Sequence, residues 1–199
     1  DVYKRQTTGQ YNTGFGQNTL ALNTTASNNT AVGKSALEQN TTGSQLTAVG
    51  ANALDANSTG NYSVAVGRNA LGANTTGSSN VGVGLSALAA NTTASNNTAV
   101  GMEALNANTT GTENTAGGTQ ALFKNTTASN NTAFGYQPLY ENTTGAHNTA
   151  VGHSALQKNT TGSSSLAIGR NALLNCTTGN HNTAVGGSAC LYALTTCLL

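Results

Sequence analysis

Apolar and polar positions recur along this chain with a fixed period of 17 residues. The clearest unit is Asn-Thr-Ala-Val-Gly, which stands at 97–101 and at 148–152. Its glycine, taken as position 0, recurs without insertion or deletion at Gly16, Gly33, Gly50, Gly67, Gly84, Gly101, Gly118, Gly135, Gly152, Gly169 and Gly186. A short period without slippage predicts a solenoid, in which each repeat forms a coil that stacks on the previous one.

The residues before each glycine predict one short β-strand per coil. Position −1 is large and apolar in every coil from Phe15 to Val185 except at Gly117, position −2 is Ala or Gly, and position −3 is Thr or aliphatic. Such β-branched residues favour strand over helix. Because neighbouring side chains of a strand point to opposite faces, we expect positions −1 and −3 to share one face. The Val and Phe row is then the better candidate for the core, and the Ala/Gly row would permit close side-by-side packing of chains.

A second apolar pair follows each glycine. Position +3 is Ala in most coils and Pro138 in one, and position +4 is Leu from Leu20 to Leu173. The pair is too short for a helix, so we expect a short second strand or a bend that turns the leucine inward. Positions +7 to +10 read Asn-Thr-Thr-Gly or Asn-Thr-Thr-Ala, which is turn chemistry. Stacked Asn and Thr side chains can also form hydrogen-bonded ladders.

These patterns together predict an all-β parallel β-solenoid, or β-roll, of about eleven 17-residue coils. Residues 12–190 form the array in this interpretation. Residues 1–11 do not fit the repeat and are interpreted as a leader or a sequence artefact. Residues 191–199 are interpreted as a degraded last coil or cap, or as the result of truncation.

Composition narrows the classes of partner. Charged residues make up 7% of the chain and the formal net charge is +1, so no basic field favours nucleic acid. No stretch approaches the roughly 20 apolar residues that span a bilayer, so we expect no membrane insertion in this segment. Three cysteines, all in the last two coils, cannot form a complete disulfide framework.

The sequence offers little catalytic chemistry. His147 and His181 both occupy position +12, but two coils separate them, which is about 10 Å at the usual strand spacing. That distance is too large for a shared zinc ion, and the acidic residues are too scattered for a calcium site. We therefore expect no catalytic, cofactor-binding or metal site, and no enzyme activity.

Positions that vary between coils are the candidate binding surface, because they can change without disturbing the fold. They include Lys34, Arg68, Met102, Phe123, Tyr136, Tyr140, His153 and Arg170. Asn-x-Ser/Thr acceptor patterns recur in the turn and mark candidate glycosylation sites at Asn23, Asn40, Asn74, Asn91, Asn108, Asn125, Asn142 and Asn159, although the turn itself also needs Asn and Thr. The regular Thr-Thr pairs raise the further alternative of an ice-binding array.

Two runs resemble the head repeats of trimeric autotransporter adhesins (the YadA-like head). They are Asn-Tyr-Ser-Val-Ala-Val-Gly-Arg-Asn-Ala at 61–70 and Ser-Leu-Ala-Ile-Gly-Arg-Asn-Ala at 165–172. The longer unit is also similar to arrays in phage tail-fibre-like proteins. The resemblance implies a left-handed β-roll, a homotrimer and a role in adhesion. The adhesin repeat is a few residues shorter, and we expect the extra residues to enlarge the Asn-Thr-Thr-Gly turn.

The resulting hypothesis is a non-catalytic, structural and adhesive segment of an extracellular or virion surface fibre. Its partners would be further copies of the chain and a surface receptor or glycan that the sequence does not identify. Two alternatives remain open: a subunit that stacks end to end into an extracellular filament, and an ice-binding β-solenoid.

Overall fold

A computed structural model describes residues 8–197, which form one eleven-stranded parallel sheet. Each strand pairs with the next one along the chain, with every residue opposite the residue 17 positions later, as in Thr98 opposite Thr115. The predicted parallel β-solenoid with a 17-residue period is therefore confirmed. The strands are β1 (Thr13–Phe15), β2 (Thr30–Val32), β3 (Thr47–Val49), β4 (Val64–Val66), β5 (Val81–Val83), β6 (Thr98–Val100), β7 (Thr115–Gly117), β8 (Thr132–Phe134), β9 (Thr149–Val151), β10 (Leu166–Ile168) and β11 (Thr183–Val185).

Hydrogen bonds join successive coils well beyond these strands. At the Ala-Leu pair the Leu37 amide donates to the Ala53 carbonyl at 3.1 Å, and in the turn the Thr41 amide donates to the Ser58 carbonyl at 3.1 Å. Every coil is thus bonded to the next along most of its path. Eleven coils at the usual strand spacing make a rod about 50 Å long. Within residues 8–197, no helix is long and apolar enough to cross a membrane.

The core is narrow, and the strands face the opposite way from the prediction: position −2, and not position −1, points into the core. Alanines at position −2, such as Ala48 and Ala65, are fully buried, whereas Val100 and Ile168 at position −1 are exposed. The leucine at +4 fills the interior: a methyl group built on Gly82 at position −2 would meet Leu71 Cγ at 3.3 Å. Only a methyl fits there, so the branched side chains must point outward. The Ala/Gly row is consequently inside the coil and cannot serve as a packing surface between chains.

The Ala-Leu pair forms a bend, and each leucine points inward as expected. Leucine at +4 adopts a left-handed conformation in every coil, for example φ 53° at Leu88. That conformation costs roughly 1–2 kcal/mol for a residue with a Cβ, and full burial of a leucine side chain is worth roughly 1.5–3 kcal/mol. Burial therefore offsets the strain. Pro138 keeps the bond between coils at +3, because the Leu122 amide needs only its carbonyl, at 3.0 Å. It loses the bond within its own coil that an alanine amide at +3 donates to the position 0 glycine, as from Ala121 to Gly118 at 3.3 Å.

Position 0 requires glycine for two reasons. Its φ lies in a region that side chains rarely adopt, 137° at Gly50. A Cβ at Gly50 would also collide with the carbonyl group of Gly67 in the next coil. The conformation and the close approach of the coils both explain why this residue never changes.

A ladder of buried asparagines runs through the interior at position +7. Each side-chain nitrogen donates to the side-chain oxygen of the previous coil, as from Asn91 to Asn74 at 2.8 Å, and to a carbonyl of its own coil, as from Asn91 to Ala94 at 3.0 Å. The same pattern continues from Asn40 to Asn159. The prediction of stacked asparagine ladders is confirmed, and the buried amides from Asn40 to Asn142 are bonded on both sides by their neighbours in the ladder.

A second buried set of asparagines occupies position −4. Asn97 Oδ1 accepts from the backbone N–H of Asn114 at 3.0 Å, and Asn97 Nδ2 donates to the Gly111 carbonyl at 2.8 Å. The Gly111 carbonyl also accepts from Asn108 of the first ladder at 2.9 Å. The two asparagine positions thus fix both sides of the turn through one shared carbonyl.

The array begins earlier than the boundary predicted at residue 12. The amides of Thr8 and Gly9 already donate to the Thr24 carbonyl, at 3.3 and 3.2 Å. Residues 8–11 therefore belong to the coil rather than to a leader, while the rest of the predicted leader, residues 1–7, lies outside the described residues.

The degraded last coil is still joined to the array. The Cys197 amide donates to Asn182 Oδ1 at 2.6 Å, where the regular spacing would place residue 199, so this coil is two residues shorter. A disulfide links Cys190 to Cys197, and Cys176 is a buried free thiol. Residues 198 and 199 lie outside the described part of the chain.

Candidate functional surfaces

The first outward surface is the strand face, formed by positions −3 and −1. It carries Thr or aliphatic residues at −3 and mostly Val, Phe or Ile at −1, and none of these residues is charged. Val100 and Phe134 are each 46% exposed, while Val49 and Val66 are half-buried. An uncharged, largely apolar strip thus runs along all eleven strands.

One pair of residues keeps this strip continuous. Position −1 lacks a side chain at Gly117, and the ring of Phe134 in the next coil occupies the space that a Cβ at Gly117 would take. The larger residue therefore covers the gap left by the smaller one.

The second surface is the variable face, formed by positions +1, +2, +5 and +6. It contains the residues that the sequence marked as a candidate binding surface. The structure exposes Lys34, Arg68, Met102, Tyr136, His153 and Arg170 and half-buries Phe123 and Tyr140. They do not form one cluster, because Lys34 and Arg170 belong to coils at opposite ends of the rod.

Aromatic side chains stack between neighbouring coils of the variable face. Phe123 and Tyr140 lie with ring centroids 5.1 Å apart and an angle of 7° between planes. Tyr136 and His153 are also 5.1 Å apart, at 29°. Lys124 completes the first group: it pairs with Glu141 at 2.6 Å and lies 5.6 Å from the Tyr140 ring centroid. The hydrogen bond to Glu141 raises the pKa of the Lys124 ammonium group.

A line of amide groups connects four coils of the same face. Gln120 Nε2 donates to Glu103 at 2.8 Å, Gln137 Nε2 donates to Gln120 at 2.6 Å, and Gln157 Nε2 donates to Gln137 at 2.9 Å. Sequence reasoning missed this group. The signal available was glutamine at position +2 in two consecutive coils, at 120 and 137.

The titratable residues do not assemble into a catalytic or metal centre in the described part of the chain. Within residues 8–197 no group of three or more His, Cys, Asp or Glu side chains is placed to hold a metal ion. His153 bonds the Ser154 hydroxyl at 3.0 Å, while His147 and His181 are exposed. Burial raises the pKa of the Cys176 thiol, which opposes formation of a reactive thiolate.

The structure argues against glycans at the turn asparagines. Asn23, Asn40, Asn74, Asn91, Asn108, Asn125, Asn142 and Asn159 are all fully buried in the position +7 ladder. A glycan on such a nitrogen would have to displace the ladder bonds and open the coil, so the burial of these sites opposes glycosylation of the folded chain. Three acceptor patterns do lie on the surface, at Asn28, Asn96 and Asn130.

A third surface feature is the threonine row at position +9. Threonine occupies this position in every described coil and is exposed in each: Thr8, Thr25, Thr42, Thr59, Thr76, Thr93, Thr110, Thr127, Thr144, Thr161, Thr178 and Thr195. The neighbouring threonines at +8 behave differently, because their hydroxyls donate to carbonyls of the next coil, as from Thr41 to Ser58 at 3.0 Å.

Comparisons with protein-family models, with curated proteins and with solved structures find no match to this chain. The likeness to adhesin head repeats and tail-fibre arrays therefore rests on the repeat motif alone. What the structure adds to that motif is the architecture, a parallel β-solenoid of 17-residue coils.

Proposed function

We propose that this chain is a structural and adhesive segment of an extracellular or virion surface fibre, in which copies pack together through their strand faces. The role is non-catalytic. The observation that carries the proposal is the uncharged row of Val, Phe and Ile at position −1, whose side chains are half-buried in some coils and exposed in others, as at Val100 and Phe134. Contiguous exposed apolar surface of this kind marks interaction sites.

The size of the strand face suits association between copies. A three-residue strand is about 10 Å long and the rod is about 50 Å long, which gives a flat area on the order of 500 Å² per copy. Three such faces that meet around one axis would bury about 1,500 Å² in total, an area comparable with specific interfaces. A homotrimer would place all three faces around one axis and leave the variable faces outside.

A dilution series measured by light scattering tests the proposal. We expect a stable mass near three times the 19.8 kDa of the chain. Val100→Lys should reduce that mass to the monomer, because burying an unpaired charge in the interface is unfavourable. Thr93→Lys, on the exposed threonine row, is the matched control and should leave the trimer intact. A wild-type monomer at every concentration would refute association, and long fibres in micrographs would instead favour end-to-end stacking.

The threonine row favours a second candidate function, binding to ice. Exposed residues at +1 and +12 vary between coils, whereas the exposed residue at +9 does not. Within residues 8–197 the hydroxyls at +9 make no hydrogen bond that would explain this constancy. At 92 and 93, for example, the hydroxyl that donates to the next coil is that of Thr92 and not that of Thr93. Thermal hysteresis that falls when Thr93, Thr110 and Thr127 are replaced by Lys would support this function. Absence of hysteresis in the wild type would remove it.

A further inference from the structure

The side chains on the variable face differ in size from one part of the rod to another. In the coils of Gly67 and Gly84 it presents small residues at +5 and +6, namely Gly72, Ala73, Ala89 and Ala90. In the coils of Gly118, Gly135 and Gly152 it presents Phe123, Lys124, Tyr140, Glu141, Gln157 and Lys158. Large aromatic and polar side chains at +5 and +6 are therefore concentrated in the coils of Gly118, Gly135 and Gly152.

At the edge of this region the smaller Thr119 lies between two larger, exposed residues at position +1, and we call the space over Thr119 the slot. Position +1 holds Met102, then Thr119, then Tyr136 in three successive coils, and backbone bonds join these coils at this point: Gln120 amide to Met102 carbonyl at 2.9 Å, and Gln137 amide to Thr119 carbonyl at 3.0 Å. Met102 is 44% exposed and Tyr136 is 47% exposed, so both rise from the surface beside the smaller threonine. Two coil spacings separate the walls, about 10 Å between backbones.

The walls and the floor of the slot differ in chemistry. Tyr136 stacks on His153 in the following coil, which holds the tyrosine ring across the row. Because His153 covers the ring from the following coil, the opposite face of the ring remains for a ligand on the side of Thr119. Met102 on the opposite side supplies a flexible, polarizable thioether. The slot is thus bounded by one aromatic face and one adaptable apolar side chain.

Hydrogen-bonding groups line one side of the slot and are already held in place. Gln120 lies next to Thr119 and bonds both Glu103 and Gln137. These bonds use one N–H and one acceptor site of the Gln120 amide, so a second N–H and a second lone pair remain. Glu103 keeps its other carboxylate oxygen free of bonds within the described residues. Because the side chains are ordered beforehand, binding would cost little further entropy.

We infer that this slot binds a pyranose ring of a neutral glycan. A pyranose has an apolar C–H face that packs on an aromatic ring and hydroxyl groups at its edge. Tyr136 would take the face, and the amide and carboxylate of Gln120 and Glu103 would take two neighbouring hydroxyls. Glu103 disfavours acidic sugars. The +1 net charge and the pairing of Lys124 with Glu141 provide no positive channel for a nucleic acid.

The inference rests on the proposed adhesive role, since it names the ligand class that an outward variable face would hold. The slot lies on the variable face and not on the strand face. Glycan binding and association between copies can therefore be measured separately, and either can fail alone.

Saturation-transfer NMR with methyl glucoside, methyl galactoside, methyl mannoside and methyl N-acetylglucosaminide provides the test. We expect at least one of these probes to bind, with a dissociation constant on the order of 1 mM for so small a contact. Thr119→Tyr should fill the slot and weaken binding at least tenfold, and Tyr136→Ser should do the same by removing the ring. Thr93→Tyr, which adds the same side chain at an exposed site elsewhere, should leave binding unchanged.

Three results would overturn the inference. They are no transfer to any neutral probe in the wild type, equal binding by Thr119→Tyr, and stronger binding of methyl glucuronide than of methyl glucoside. Light scattering on the same samples shows whether Thr119→Tyr changes the mass. A change would mean that a second copy, and not a glycan, occupies the slot.

Discussion

Asn159 and Cys176 occupy successive places in the buried position +7 ladder, and the ladder ends between them. Asn159 Nδ2 donates to Asn142 at 2.8 Å, but its Oδ1 is buried without a hydrogen-bond partner in the described residues. In every earlier coil from Asn23 onward that oxygen accepts from the next asparagine. The Cys176 thiol instead contacts the Thr195 carbonyl at 4.0 Å and donates no hydrogen bond to Asn159 Oδ1.

Replacing Cys176 by Asn should therefore stabilise the chain. The new amide would donate to Asn159 Oδ1, and its own oxygen could accept from Asn182 Nδ2, which now lies 3.4 Å from the Cys176 sulfur. Satisfying one buried acceptor is worth about 1–3 kcal/mol. Urea unfolding and amide hydrogen exchange of residues 166–190 measure the effect. Cys176→Ala is the control and should give no gain; equal stabilisation by Ala would show that removal of the thiol, not the amide, is responsible.

Breaking the ladder in the middle should have the opposite effect. Asn91→Ala removes the donor to Asn74 and the acceptor for Asn108, both in a dry interior. We expect a loss of about 2–4 kcal/mol in the free energy of unfolding, because buried polar groups lose their partners and a cavity remains. Thr93→Ala, two residues away on the surface, should change stability by less than about 0.5 kcal/mol. Similar losses for the two variants would contradict a structural role for the ladder.

The packing of Phe134 over Gly117 predicts a coupled pair. Gly117→Val alone should destabilise the fold by about 1–3 kcal/mol, since the new side chain meets the phenylalanine ring. Adding Phe134→Val should restore most of that loss, because valine stacks on valine at this position in other coils, as Val49 does on Val66. A double-mutant cycle by urea unfolding gives the coupling energy. Simple additivity of the two changes would mean that the residues do not interact.

Asp55 predicts a dependence of stability on pH. Partial burial raises the pKa of its carboxyl group above the ordinary value of 3.8, and the charge of Glu38 in the previous coil contributes a smaller rise. A raised pKa in the folded state means that the protonated form folds better, so this carboxylate reduces stability as pH rises above about 4. Asp55→Asn should be more stable than the wild type at pH 7, by less than about 1 kcal/mol at this half-exposed site.

The difference between Asp55→Asn and the wild type should nearly vanish at pH 3, where the aspartate is protonated in both folded and unfolded chains. Glu38→Gln serves as a partial control: it should give a smaller gain at pH 7, because it removes only the minor cause. A variant difference that stays constant from pH 3 to pH 7 would exclude titration of Asp55 as its origin.

The 17-residue period was sufficient to predict the solenoid, because a strict repeat leaves few other ways to bury the same positions in each coil. It did not predict which face of the strand is inside. Valine usually marks the core, but here Leu71 and its equivalents fill a narrow interior. The space left at position −2 holds only a methyl group, such as that of Ala65. Volume, not hydrophobicity, decided the orientation.

The asparagines at +7 were assigned to a turn because Asn and Gly tolerate left-handed conformations and Asn and Thr side chains bond nearby backbone groups. Their constancy held a signal of burial: position +7 is Asn from Asn23 to Asn159, whereas the exposed position +1 of Lys34 changes from coil to coil. For the candidate sites the sequence identified Met102 and Tyr136 as surface residues. It could not show how far the side chains of Met102 and Tyr136 are exposed on either side of Thr119, since this depends on their packing against neighbouring coils.

The same alignment restricts how such a chain can change in length. Removing one residue from a coil would misalign that coil with its neighbours, while the coils after it would still match one another. Removing one whole coil would bring equivalent residues back opposite each other, as Thr98 is to Thr115 now, and would leave every ladder closed. Whole coils are therefore the changes in length that keep every ladder intact, in steps of one strand spacing, about 4.8 Å. The number of coils therefore sets the length of the rod.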